Sequence, residues 1–320
     1  MATELAAAEQ KLHPHRHHRH GWWWKTLIAG FILWAITIVV TAVTRNVNLI
    51  PTLILLGSFL VPFAVVLFAV ERVKGSVSTL QLVLAFFVGG ICGVLGASLL
   101  ESNLHQSVWM FVVVGFIEEF VKGAIVVIVG WRVVPKTATQ GALLGATIGA
   151  GFAAFESAGY AFNAAITSQG IDLVSLLHTE VLRAILSPVG HVLWTGLLGA
   201  VVFGLAKQRP RFRWSFLILA AYATIALLHA LWDSTSELAS YLALFLTGNA
   251  TAVLEHGFLP QGTADAVNTL ATVFYIIGLA VDAIIGVLIL ILVLRHYRRA
   301  ERLHAAEATW DDPDTAWWTH

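Results

Sequence analysis

Charge is what this chain has least of. Of its 320 residues only 12% are Asp, Glu, Lys or Arg, where a soluble domain carries about a quarter. Cysteine is nearly absent too: Cys92 stands alone in an apolar stretch, so no intrachain disulfide forms and the redox compartment is not readable. No H-E-x-x-H motif occurs, which excludes an ordinary zincin site, and there is no convincing G-x-S-x-G elbow or Ser/Lys pair for a serine nucleophile. Apolar residues are abundant, at 58% of the chain, with a mean hydropathy of +0.79. These proportions exclude a soluble globule. They indicate an all-α, polytopic transmembrane helix bundle, because only helices or closed barrels satisfy their backbone in lipid. The net charge is zero, but the charges are segregated along the chain, so the balance says little about partners. The bilayer is the expected surrounding, and no nucleic-acid partner is expected.

Apolar stretches of spanning length fall near 22–44, 50–70, 79–100, 107–130, 139–164, 188–206, 213–235 and 267–295. This predicts about eight transmembrane helices, each near the roughly 20 residues a bilayer requires. The run from Trp22 to Val43 is too long for a signal-peptide core. The segment 170–187 is shorter and mixed, carries His178, Glu180 and Arg183, and precedes Pro188; it predicts an interfacial or re-entrant helix that breaks before the next span. Basic clusters test the count. With a cytoplasmic N-terminus, Lys11 to Lys25, Arg72 and Lys74, Arg132 and Lys136, Lys207 to Arg213 and Arg295 to Arg302 all lie inside. Only Arg45 and Arg183 fall outside, so both termini are expected in the cytoplasm. The domain organisation follows: a polar His-rich tail over 1–21, read as a basic anchor more readily than as a metal-binding tract; a membrane domain over 22–295, with an extracytoplasmic loop or lid at 236–266; and a cytoplasmic tail over 296–320, a snorkelling anchor followed by a disordered end.

Inside the predicted spans sit polar residues that lipid alone would not tolerate. An ionisable group at bilayer depth is costly and marks a functional site by default. Glu118 and Glu119 are adjacent in the fourth span, with Lys122 at i+4 and i+3 from them, so Lys122 can hold one glutamate ionised. In the fifth span Phe152, Glu156 and Tyr160 line one helix face. Gly141, Gly145, Gly149 and Gly151 permit close helix approach beside them. His191 lies in the sixth span; by itself such a histidine reads as a packing residue. His229 and Asp233 form an i,i+4 pair in the seventh, where the aspartate can orient the imidazole or share a ligand with it. Asp282 is isolated in the eighth, either a partner to Lys122 or a structural residue.

Such side chains meeting in one cavity support two kinds of chemistry. A carboxylate can take a proton from water while a His and an Asp stabilise the oxyanion. Alternatively, Glu and His ligands hold Zn²⁺, which lowers the pKa of bound water towards ~7. Either gives a hydrolase inside the membrane. A proton-coupled transporter is the rival, since titratable groups in bundles also form proton relays, but neither inverted repeats nor paired broken helices are evident. A non-catalytic membrane scaffold is the third reading.

The order and spacing of these residues resemble the PrsW-type family of intramembrane proteases. Its EExxK motif is matched by Glu118-Glu119-Phe120-Val121-Lys122, its FxxxE motif by Phe152 to Glu156 with Tyr160 following, and its later histidines by His191 and by His229 in the His229-to-Asp233 HxxxD. The resemblance spans roughly 75–295. A larger set, including CAAX prenyl proteases and bacteriocin-processing proteins, carries EExxxR, FxxxH and HxxxN instead; here the basic residue comes one position earlier, Glu156 replaces a His and Asp233 an Asn. The resemblance implies a multi-pass endopeptidase of the bacterial plasma membrane. Its substrate would be a single-span or otherwise membrane-tethered protein such as an anti-sigma factor. It implies Glu118 as the water-activating base and His229 with Asp233 at the oxyanion, Glu119 being paired to Lys122. Glu156, His191 and His229 would form the rest of the water site, or of a Zn site. Whether the type is glutamic or metallo stays open at this point.

Overall fold

The computed structural model describes residues 21–310, apart from 73–76, 106, 108, 169, 260 and 261, with the side chains of 254, 256 and 302–310 also outside the description. The His-rich run His13 to His20 and the tail Asp311 to Trp318 therefore lie outside the described residues. The described chain is an all-α bundle. Its helices are α1 (Trp22–Thr44), α2 (Ile50–Arg72), α3 (Thr79–Glu101), α4 (Met110–Gly130), α5 (Ala138–Ala165), α6 (Leu173–Leu186), α7 (His191–Gly204), α8 (Phe216–Leu246), α9 (Ala250–His256) and α10 (Ala264–Trp310). The strand content among the described residues is one small antiparallel hairpin, β1 (Ile166–Thr167) with β2 (Gly170–Ile171), which reverses the chain between α5 and α6.

Among the described residues seven segments are long and apolar enough to cross a membrane, so this is a multi-pass membrane protein. The α4 helix is not among the seven, because Glu118, Glu119 and Lys122 fall within its 21 residues. The expected sixth span, 188–206, differs from what forms. At a rise of 1.5 Å per residue the 14 residues of α7 reach about 21 Å, too short for a hydrocarbon core of about 30 Å. The crossing is composite: α6, a 3₁₀ turn at Ser187–Val189 containing Pro188, then α7, together Leu173–Gly204. The break comes where proline removes a backbone donor.

Two further boundaries moved. The α8 helix continues to Leu246 and α9 occupies Ala250–His256, so much of the expected loop 236–266 is helical. The expected cytoplasmic tail starts as helix too, since α10 runs unbroken through Arg295 to Trp310.

The core is organised by α5, whose Gly- and Ala-rich sequence lets two neighbours approach to backbone contact. On one side Gly141, Gly145 and Gly149, spaced i,i+4, lie against the α7 backbone at Gly199, Thr195 and His191; a Cβ at any of them would strike a carbonyl oxygen. On the other side Gly151 faces the Phe86 carbonyl on α3, and Gly89 of α3 faces Ile148. Leu144, Ile148, Trp194, Leu197 and Phe203 are buried in the resulting seam. The helix α1 is held at its N-terminus by Glu71, whose carboxylate accepts from the backbone N–H of Gly21 at 2.8 Å, Trp22 at 2.6 Å and Trp23 at 3.3 Å. These are the orphan donors of the first turn, satisfied by an anion where the helix dipole favours one.

Candidate active site

Close backbone packing brings the polar residues together. Gly115 has no Cβ to hold α4 away from α8, and it sits against the backbone at Ala226 and Ala230. One turn on, Glu118 and Glu119 therefore face His229. The contact of Gly149 with the His191 carbonyl seats the start of α7 on α5 in the same way, and Glu156, about two turns further along α5, meets His191. His191 is the first residue of its helix and follows Gly190.

Lys122 is the hub. It is fully buried, and its Nζ lies 2.6 Å from Glu119 Oε1, 3.2 Å from Glu118 Oε2 and 2.9 Å from His191 Nδ1. The Phe152 ring packs under the ammonium, 4.2 Å from the ring centroid, a cation–π contact that helps hold a desolvated charge. Each imidazole is backed by a carboxylate. His191 Nε2 is 2.9 Å from Glu156 Oε2, and His229 Nδ1 is 3.1 Å from Glu119 Oε1. The other nitrogens, His191 Nδ1 and His229 Nε2, lie 4.0 and 3.7 Å from Glu118 Oε2. The two rings meet edge to face at 4.9 Å, and Trp194 stacks on His229 at 4.6 Å.

The cluster borders a cavity of about 450 Å³, walled by α3 to α8 and lined by Glu118, Glu156, His191 and Asp233 together with Glu101 and Arg183, while Glu119, Lys122 and His229 are buried behind this lining. Every site residue read from the sequence is in this neighbourhood: Glu118, Glu119, Lys122, Phe152, Glu156, Tyr160, His191, His229 and Asp233. Their relationships differ from expectation in two respects. Asp233 does not back the His229 ring from behind. It approaches Nε2 at 3.4 Å, on the same side as Glu118, and the carboxylate behind Nδ1 is Glu119. Nor is Glu156 free: its Oε2 is shared by His191 and Arg183. Asp282 is buried, and among the described residues it makes no ion pair with Lys122.

Three contributors were missed. Arg183 reaches back from α6 to Glu156, donates from Nε to Ser157 Oγ at 2.8 Å and lies 4.2 Å over the Tyr160 ring. A basic residue on a helix read as interfacial gives no hint of that fold-back; the hairpin at 166–171 produces it. Trp194, i+3 from His191, carried a weak signal as an aromatic on the same helix face. Glu101, at the end of α3, looked like an ordinary span boundary.

A divalent metal fits this donor set. One carboxylate oxygen of Glu118 and one nitrogen each of His191 and His229 lie within 4.8 Å of one another, the Glu/His/His chemistry of catalytic zinc sites. The carboxylates behind both imidazoles are the outer partners that fix the tautomer of ligating histidines. Glu156, in contrast, bonds Arg183 and His191, so the trio whose ligand atoms converge has Glu118 where the sequence reading had Glu156. Comparison with known proteins agrees with this chemistry. A family profile described as PrsW family intramembrane metalloprotease matches residues 20–259. No curated protein and no solved structure matches the chain. With well over half its length matched, the chain belongs to the PrsW family of intramembrane proteases.

Proposed function

We propose that this protein is a plasma-membrane endopeptidase of a bacterium that hydrolyses a peptide bond of a single-span or tethered membrane protein, with Glu118, His191 and His229 as its water-activating centre. The observation that carries the proposal is the convergence of those three side chains, from three helices, within 4.8 Å of one another, at the wall of a cavity that Glu118 and His191 line. Anti-sigma factors are the substrate class suggested by the family resemblance. The positive-inside pattern, read as eight spans with cytoplasmic termini, puts the α3–α4 connection outside. Glu118 is eight residues into α4 from Met110, about 12 Å below that end. Cleavage is therefore expected in the outer part of the bilayer or just above it.

In the first reading Glu118, His191 and His229 would hold Zn²⁺, which when bound would supply a water of pKa near ~7 and Lewis acidity for a carbonyl oxygen. The protein's own groups set up the rest. Glu156, anchored by Arg183, fixes the tautomer of His191, and Glu119, anchored by Lys122, does the same for His229. Asp233 stands at the cavity side of His229 with nearly a third of its side chain exposed, able to orient water or the departing amine. Buried walls such as Trp194 and Phe152 keep bulk water from the centre.

One observation favours a second reading. The Lys122 ammonium lies 2.9 Å from His191 Nδ1 and 3.2 Å from Glu118, on the donor atoms that a metal would use. Without a metal, the Glu118 carboxylate takes the proton from water directly and His229 with Asp233 stabilises the oxyanion. Both readings place the chemistry at Glu118. The test is Glu118→Gln, matched for expression, with a co-expressed tethered substrate: cleavage is expected to vanish, and undiminished cleavage overturns the proposal.

A further inference from the structure

Away from the active-site cavity, Asp282 and Glu180 are buried acids that the mechanism does not use, and Glu180 is the one that lines a pocket. Glu180 lies on α6, 2% exposed, at the floor of a separate pocket of about 400 Å³ between α1, α2 and α6. Its Oε2 accepts from the indole Nε1–H of Trp34 at 2.8 Å. Its Oε1 is buried and has no hydrogen-bond partner among the described residues. An unmet carboxyl oxygen in an apolar setting is costly, and an intramembrane acid calls for a functional explanation.

The surroundings are built for this carboxyl. Trp34 is near the middle of the 23-residue α1, so the pair sits near mid-bilayer depth. Gly57 on α2 faces the carboxyl directly, and a Cβ there would occupy its place. The remaining lining is aliphatic or aromatic, including Phe31, Leu60 and Ile185. Phe31, Val181 and Ile185 are exposed on the outer surface of the bundle, so the pocket opens sideways to lipid and not to either aqueous phase. Its size lies within the range of small-molecule sites, roughly 300–1,000 Å³.

We infer that the Glu180 pocket is a second binding site, taking from the bilayer a single-chain amphiphile whose head donates a hydrogen bond, a hydroxyl or an amine. The hydrocarbon fills the apolar groove and the head satisfies Oε1. One turn further along the same helix Arg183 bonds Glu156, so the occupant and the active-site cavity share α6.

The test is photolabelling of the full chain in phosphatidylcholine nanodiscs with a diazirine-bearing long-chain alcohol, mapped by mass spectrometry. Labelling is expected on residues 27–34 and 181–185 and should be saturable. Dodecanol or dodecylamine should compete about tenfold better than dodecane, the worth of one hydrogen bond to a buried acid; which of the two competes better identifies the head group. Glu180→Leu keeps the apolar body and removes the acceptor, at the cost of leaving the Trp34 indole N–H unmet. In that variant, checked for retained cooperative unfolding, the three competitors should become equal. Gly57→Ala, which crowds the carboxyl, should weaken alcohol competition in the same direction. Non-saturable labelling, equal competition by dodecane in the unmodified chain, or an undiminished preference in Glu180→Leu overturns the site.

Discussion

Replacing Lys122 by Met tests the electrostatic frame of the active site. Lys122 and Glu119 are both fully buried, with Nζ and Oε1 2.6 Å apart, and Glu118 is buried beside them. Removing the ammonium strands two carboxylates in a low-dielectric interior. Breaking one partner of a buried ion pair costs about 3–5 kcal/mol. Met is close in length and fits above the Phe152 ring, so lost packing adds little. Glu119→Gln alone strands half of the ammonium's compensation and also weakens the hold on His229 Nδ1. The double variant has neither charge. Its loss should therefore be smaller than the sum of the single losses by about 1–3 kcal/mol, the range for directly coupled residues. Reversible unfolding in mixed detergent micelles measures all four corners of this cycle. Additivity within about 0.5 kcal/mol, or a Lys122→Met loss under about 1 kcal/mol, would refute the reasoning.

Other predictions concern the parts that position the site. Arg183→Gln releases Glu156 and thereby His191, so turnover should fall by tenfold or more with little change in melting temperature, read in a cleavage assay. Gly145→Leu drives a side chain into the Thr195 carbonyl across the α5–α7 seam and should lower stability by at least about 1–3 kcal/mol, measured by thermal unfolding. Glu71→Ala uncaps α1 and should speed amide exchange at residues 21–23, with exchange elsewhere unchanged. Asp172, just outside the membrane, caps α6, and its hydrogen bond from the Ser175 backbone, with help from the Ser175 hydroxyl, holds its carboxyl below the usual range. That contribution is complete at neutral pH and is lost as pH falls through the lowered value, so the first turn of α6 should fray only in acid below about pH 4; exchange at Ser175 reports it.

The doublet at 118–119 was legible because helical spacing alone puts Lys122 beside both acids, and the bilayer makes three charges on one turn conspicuous. Which carboxylate serves which imidazole was not legible. His229 and Asp233 are neighbours along α8 at i,i+4, so the sequence favours that pairing. The ring is turned toward Glu119 because Gly115 lets α4 close on Ala226 and Ala230, and helix rotation of that kind leaves no local trace. Hydropathy found the ends of α1 to α5 within a few residues, since the apolar runs stop at charges, prolines or, after α5, a polar stretch. It cut the seventh span at 235 because Asp233, Ser234, Thr235, Ser236 and Glu237 are polar, although they continue the helix to Leu246. The composite crossing of α6 and α7 was half visible: Pro188 marked the break, but nothing local said that the mixed segment before it completes the span. Nothing in the mixed segment 170–187 marks Glu180 as buried, and it is the packing of Gly57 and Trp34 against it that shows it to be.

The proposed water-activating centre of Glu118, His191 and His229 holds a metal in its first reading. Elemental analysis of the purified chain, joined to cleavage before chelation, after chelation and after Zn²⁺ readdition, tests it most directly. About one zinc per chain is expected, with activity lost on chelation and restored by Zn²⁺, and with zinc content falling sharply in His191→Ala and His229→Ala but not in Asp233→Asn. Metal-free protein that cleaves its substrate at full rate through chelation would contradict the metal site and leave Glu118 acting on water alone.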